Sequence, residues 1–168
     1  MNPSYARIRL PMAEALPRFS EWIGLPPSGP PRPVQASGVV EAACEQGRWR
    51  SPVAVFVYES GGWTVFDDLT GHLASVSAER WKALAGSDEL IFAGYNDAVP
   101  YGQLIAVRAG RVIREFLDDR QDPGQNVNRG ELAVEKRSPI KDWIAAASFV
   151  DGDEIASHPD AGLLWMFG

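Results

Sequence analysis

The stretch that decides the fold is PVAVFVYESGGWTVFDDL, residues 52–69. PVAVFVYE (52–59) is a nearly continuous run of β-branched and aromatic residues, Ser60-Gly61-Gly62 is a turn, and WTVFDDL (63–69) is a second strand. Two such runs around a glycine turn read as a β-hairpin. The first strand is apolar on both faces, so both must be covered, and this places it centrally in a sheet beneath a helix.

Working outward toward the C-terminus, ELIFAGY (89–95) reads as a third strand. YGQLIAV (101–107) and RVIREFL (111–117) flank Ala109-Gly110 and read as a second hairpin, with Gly110 supplying the positive φ of its turn. Between the hairpins, SAERWKALA (77–85) predicts a short helix capped by Ser77 and stopped by Gly86, with Trp81 and Leu84 inward. After the polar loop DDRQDPGQNVNRGE (118–131), Ser138-Pro139 reads as a cap and first turn. Ile140, Trp143, Ile144 and Ala147 follow at helical spacing, and Gly152 ends that helix. The tail AGLLWMFG is too apolar to float free, and Leu163, Leu164, Trp165 and Phe167 are expected to dock on the body.

Residues 1–49 read as a helical and proline-rich segment, and residues 50–168 as an α+β body, within one domain. Met12, Leu16, Phe19 and Ile23 have helical spacing, and since proline is tolerated at a helix start, the predicted helix runs from Pro17 to Ile23. PPSGPPRP (26–33) predicts a stiff extended connector. SGVVEAACEQ (37–46) reads as a helix with Ser37 as cap, Gly47 as stop and Cys44 on its apolar face. The sum is an α+β fold: an antiparallel sheet of about four to six strands, with the helices near 77–85 and 139–150 packed against it.

Charge is unevenly distributed. Residues 1–56 carry six Lys/Arg and four Asp/Glu, whereas residues 57–168 carry ten and eighteen, within a chain of net charge −6. The acids form short clusters at expected element ends: Asp67-Asp68, Asp88-Glu89, Asp118-Asp119 with Asp122, and Asp151 with Asp153-Glu154. A pI near 4.9 argues against a nucleic-acid ligand or an anionic membrane surface. The first residues contain no apolar run of signal-peptide length, and no stretch approaches the ~20 apolar residues of a membrane span. With Cys44 as the only cysteine, the chain reads as cytoplasmic.

Motifs for chemistry are absent. Two histidines, His72 and His158, and one cysteine offer no zinc spacing. The loop from Asp118 departs from the EF-hand pattern, since Arg120 and Gln121 intervene among the acids. No nucleophile elbow and no phosphate-cradling glycine motif occurs. No metal or cofactor is expected, and the chain reads as a non-enzyme.

GGWTVFDDLTG (61–71), AGYNDAVPYGQLIAV (93–107), FLDDRQDPGQNVNRGEL (116–132) and DWIAAASFVDGDE (142–154) together resemble small acidic bacterial immunity proteins, the antidotes of polymorphic and type VI effector toxins. The resemblance spans residues 50–154 and implies a job: to bind one cognate toxin with a basic surface and stop it. Asp67, Asp68, Asp118, Asp119 and Asp122 are the candidate partner-binding acids, with Trp63, Tyr95 and Tyr101 as candidate aromatic anchors. Replacing Asp118 and Asp119 is expected to cost little stability. A homodimer is compatible with this reading. Two alternatives stay open: a small hydrolase or ligand-binding enzyme using carboxylates near His72, and a scaffold that recruits a partner through residues 26–33.

Overall fold

The structure, a computed structural model, describes residues 3–157 and 159–168. In chain order the elements are β1 (Ser4–Ile8), α1 (Met12–Ile23), β2 (Arg32–Gln35), α2 (Val39–Ala43), β3 (Cys44–Glu45), β4 (Arg48–Trp49), β5 (Val53–Ser60) and β6 (Trp63–Asp68). Then come α3 (Ala78–Ala85), β7 (Leu90–Asn96), β8 (Tyr101–Arg108), β9 (Arg111–Asp119), β10 (Val127–Gly130), α4 (Trp143–Gly152) and β11 (Ala161–Phe167).

Among the described residues the main sheet has nine strands, in the order β10-β9-β8-β7-β1-β6-β5-β11-β2, and β3 and β4 form a separate ribbon. The class is α+β, but a sheet of four to six strands is overturned by this count. Five of the nine were legible: the hairpin β5–β6, then β7, and the hairpin β8–β9. Four were not. β1 joins the two halves of the sheet, pairing antiparallel with β6 through Tyr5 and Asp67 and with β7 through Tyr5 and Ala93. The apolar tail docks by pairing with β5 as β11. β2 lies at one edge, where Pro33 removes no ladder donor the sheet needs. At the other edge β10 emerges from the polar loop and pairs with β9.

The tight turns follow their residues. Gly61 and Gly62 take φ of 55° and 82° between the paired Ser60 and Trp63. Two positive φ values suit the twist of a two-residue hairpin.

Helices cover both faces of the sheet. On one face α1 and α3 bury an aromatic core. Phe19 stacks on Phe66 at 4.2 Å between centroids, and Trp81 stacks on Phe92 at 4.8 Å. Trp81 and Leu84 point inward, and the Ser77 hydroxyl accepts the Arg80 N–H. α1 starts five residues before Pro17, which sits inside it. Its buried face of Ala15, Phe19 and Ile23 holds it in place, and the Glu59 carboxylate accepts the Met12 N–H at 2.8 Å.

On the other face lies α4, seated over Gly102, where an added Cβ would lie 2.8 Å from the Ala146 Cβ. α4 begins at Trp143 rather than near Ser138, because Asp142 accepts the Ala145 N–H at 2.8 Å and Ile140 is held elsewhere: its N–H by Glu135 and its carbonyl by Arg114. Its buried residues are Ala146 and Val150, while Ile144, expected inward, is 58% exposed. The segment 37–46 also differs from its expected helix: a 3-10 turn and the five-residue α2 give way at Cys44 to β3. No helix among the described residues is long and apolar enough to cross a membrane.

Candidate functional site

Antiparallel register brings distant acid clusters together. β1 begins where β6 ends, with Tyr5 opposite Asp67. β7 ends where β8 begins, with Asn96 opposite Tyr101, and Tyr101 faces Asp119 at the end of β9. Asp67-Asp68 and Asp118-Asp119, with Asp122 in the adjoining turn, therefore gather at one end of the sheet. The last turn of α4 joins them, since the Tyr95 hydroxyl donates to Asp151 at 3.0 Å.

These acids divide by what they hold. Asp68 is 3% exposed, and its carboxylate accepts N–H groups from Thr70, Gly71 and Leu73 at 3.1, 2.9 and 2.7 Å. It is the organiser of the turn after β6. Burial raises its pKa, and the hydrogen bonds from the turn oppose that shift. Asp118 is 9% exposed and accepts the Trp143 N–H at 2.8 Å, which ties the start of α4 to the end of β9. Asn126 donates to its other oxygen, and Arg120 pairs with it at 3.3 Å. The expectation that replacing Asp118 costs little stability is therefore corrected: it is a clamp between two elements.

Asp119 is half-buried, and its Oδ1 accepts the Gln121 N–H at 2.8 Å. Asp122 is fully on the surface, as are Asp97 and Asp151. Asp67 is half-buried on the α4 face and borders a cavity of about 490 Å³ with Tyr5 and Asp153.

Of the three aromatic candidates, two join the acids. Tyr95 and Tyr101 wall a smaller cleft of about 240 Å³, together with Asn96 and Asp119. The floor is close backbone: a Cβ on Gly94 would lie 2.6 Å from the Ser4 Cβ. Burial raises both tyrosine pKa values, and nearby acids add to the shift: Asp151 at Tyr95 and Asp119 at Tyr101. The Tyr101 hydroxyl reaches the Ala74 carbonyl and the Gln103 side chain. Trp63 stands apart, at the opposite end of β6, about 17 Å along the strand from Asp68. It is buried beneath two guanidinium groups, with Arg7 4.2 Å and Arg9 5.0 Å from its ring centre.

Sequence reasoning missed a buried polar network beneath the same region. Tyr5 and Arg7 occupy one face of β1, alternating with the apolar Ala6 and Ile8. Both donate to Asp153, Arg7 at 2.9 Å, and Asp153 also accepts the Ile155 N–H at 3.1 Å. Burial, then the Asp153 charge, pushes the Tyr5 hydroxyl far above its ordinary pKa. The Tyr58 hydroxyl donates to the Ala156 carbonyl at 2.9 Å. The period-two alternation in Tyr-Ala-Arg-Ile was the available signal.

His72 is exposed on the turn 72–75, and among the described residues no hydrogen bond or ion pair joins its ring to a carboxylate. His158 lies outside the described residues. Cys44 is half-buried at the start of β3. The proline-rich segment lies against β11: Ser28 N–H donates to the Met166 carbonyl at 2.9 Å, and Trp165 Nε1–H to the Gly29 carbonyl at 3.3 Å. Among the described residues no group of three or more His, Cys, Asp or Glu side chains is placed to hold a metal ion.

Compared with protein-family profiles, with curated proteins and with solved structures, the chain finds no match.

Proposed function

We propose that the chain is an immunity-type inhibitor that binds a toxin with a basic surface through the acidic end of its sheet and thereby blocks that toxin. The observation that carries this reading is the gathering of Asp67, Asp119, Asp122 and Asp151, from three separate stretches of sequence, at one end of a rigid antiparallel sheet. Presented acids attract a cationic surface over a Debye length of about 8 Å at physiological ionic strength. Steering of this kind raises the association rate and selects against acidic partners. The Tyr95–Tyr101 cleft would receive an anchoring side chain, because aromatic pockets ringed by polar groups make effective hot spots. Asp68 and Asp118 support this surface from beneath. We place the encounter in the cytoplasm, where a lone thiol such as Cys44 stays reduced.

The test is co-expression with the product of the reading frame beside this one. The proposal expects protection of the host cell, a complex that co-purifies, and an association rate in stopped flow that falls as salt rises. Absence of a complex contradicts the inhibitor reading, and a rate indifferent to salt contradicts electrostatic capture.

A further inference from the structure

Among the described residues, α4 leaves its outer face exposed at Ile144 and Ser148. Its sequence, WIAAASFVDG, is apolar almost all round, and such a helix ordinarily belongs in a core. Here only one side is covered, by Ala146 and Val150. Ile144 stands 58% exposed, and Val134, on the turn 133–136, is 56% exposed. Between that turn and the helix runs an open groove of about 520 Å³, with Ala145, Ser148 and Phe149 on the helix side and Val134 and Ile140 across from them. Exposed apolar surface of this form marks an interaction site.

Charge identifies the occupant. Lys136, Arg137 and Lys141 are exposed ahead of the helix, while Asp151 and Glu154 are exposed in its last turn and just beyond. This layout opposes the helix macrodipole, which favours anions at the N-terminus and cations at the C-terminus, so it gains nothing from the helix it flanks. It complements its own reverse. A second α4 laid antiparallel across the first sets Lys141 against Asp151 of the second copy, twice, as two-fold symmetry requires. Ile144 of each copy then meets the Phe149 side of the other's groove. The small side chains of Ala145 and Ser148, at the midpoint, allow the helices to approach closely.

We infer that this face is a self-association surface, through which two copies pair by antiparallel contact of α4. One helix pair and a flanking turn make a small interface, so the dimer is a weak one. This inference does not rest on the proposed inhibitor function, but Asp151, which accepts from the Tyr95 hydroxyl, borders both surfaces, so Ile144→Asp, which leaves every acid of the sheet end in place, is the variant that tells the two apart.

The experiment is sedimentation equilibrium of the full chain from roughly 1 to 200 µM, the range in which small interfaces dissociate. Expected is a concentration-dependent dimer that Ile144→Asp converts to monomer with unchanged circular dichroism. Ile144→Ser gives the same loss without adding charge, should the aspartate disturb the helix. Lys141→Glu and Asp151→Lys, each alone, weaken the dimer at least about tenfold, a loss of close contact between unlike charges. Mixed together, they restore it as a heterodimer. A parent chain that stays monomeric throughout overturns the inference, as does an Ile144→Asp variant that dimerises like the parent. Failure of the mixed variants to associate overturns the antiparallel arrangement.

Discussion

The two faces of the sheet are built on different physics. Under α1 and α3 the core is held by aromatic packing: Phe19 on Phe66, Trp81 on Phe92, and Trp22 4.7 Å from Trp81. Under α4 and the long loops, the sheet carries buried charge. Arg114, 2% exposed, donates from Nε and Nη2 to Glu135 at 2.8 Å, and to the Ile140 carbonyl at 3.0 Å. Glu135 in turn accepts N–H groups from Leu132 and Ile140. Arg7 and Asp153 repeat the device at β1, three strands away from β9 in the sheet. Both faces thus gain stability from area removed from water, the second through a cluster that includes Phe56, Leu104, Phe116 and Val150, but only the second adds buried charged side chains that fix the backbone of segments lacking regular structure. Pairing without regular structure is what lets the second face present loops, grooves and acids on a rigid support.

Breaking each face in turn separates the two devices. Trp81→Ala is expected to cost about 3–5 kcal/mol, as removal of a fully buried tryptophan leaves a large cavity. Urea unfolding at neutral pH checks it, and the loss should be the same from pH 7 to 4, because no charge is involved.

Glu135→Gln is expected to cost about 3 kcal/mol at pH 7, since it strands a buried guanidinium. This loss depends on pH. Burial alone would raise the Glu135 pKa, but the Arg114 hydrogen bonds and charge and the Leu132 and Ile140 N–H groups outweigh it and hold the carboxyl low. Its stabilising contribution is therefore full above the unfolded value near 4.5 and fades as pH falls through the lower folded value. Parent and variant should converge in stability on acidification. A gap that stays constant into acid would place the loss in packing rather than in the ion pair.

Asp118→Ala is expected to cost about 1–3 kcal/mol, because the Trp143 N–H at the start of α4 loses its acceptor. Hydrogen exchange should show the first turn of α4 opening before the rest of the domain.

Legibility follows the same division. The apolar face announces itself in sequence: Trp81 and Leu84 at helical spacing, and 52–59 as an apolar run. The central strand did not. β1 is five residues long and includes a serine and an arginine, so propensity gives no hint that it lies between two partners. Its Arg7 becomes tolerable only through Asp153, 146 positions away, a pairing that local periodicity cannot see. α4 is illegible for the opposite reason: it is apolar on nearly every side, so the spacing of Ile140, Trp143, Ile144 and Ala147 does not say which side faces the sheet, and the buried residues are Ala146 and Val150 while Ile144 is exposed. For the acidic end, sequence offers Asp67, Asp68, Asp118, Asp119 and Asp122 with Trp63, Tyr95 and Tyr101 as one candidate set; the fold leaves Trp63 at the other end of β6, and sequence could not separate Asp119 and Asp122 from Asp68 and Asp118. Burial and hydrogen bonding make that separation.

The smallest expected effect on stability belongs to the presented acids. Asp119→Ala with Asp122→Ala should shift unfolding by no more than about 1 kcal/mol, because the Gln121 and Asp122 N–H groups that Asp119 holds are exposed and can turn to water. The same pair lies at the centre of the proposed binding surface. The most direct measurement is thus the dissociation constant of this double variant for the proposed toxin partner, determined beside its urea midpoint. The account predicts a midpoint moved by no more than that small loss and binding weakened at least about tenfold, the size expected when charges are lost from an interface. A double variant that binds and protects as well as the parent, with the same midpoint, contradicts it.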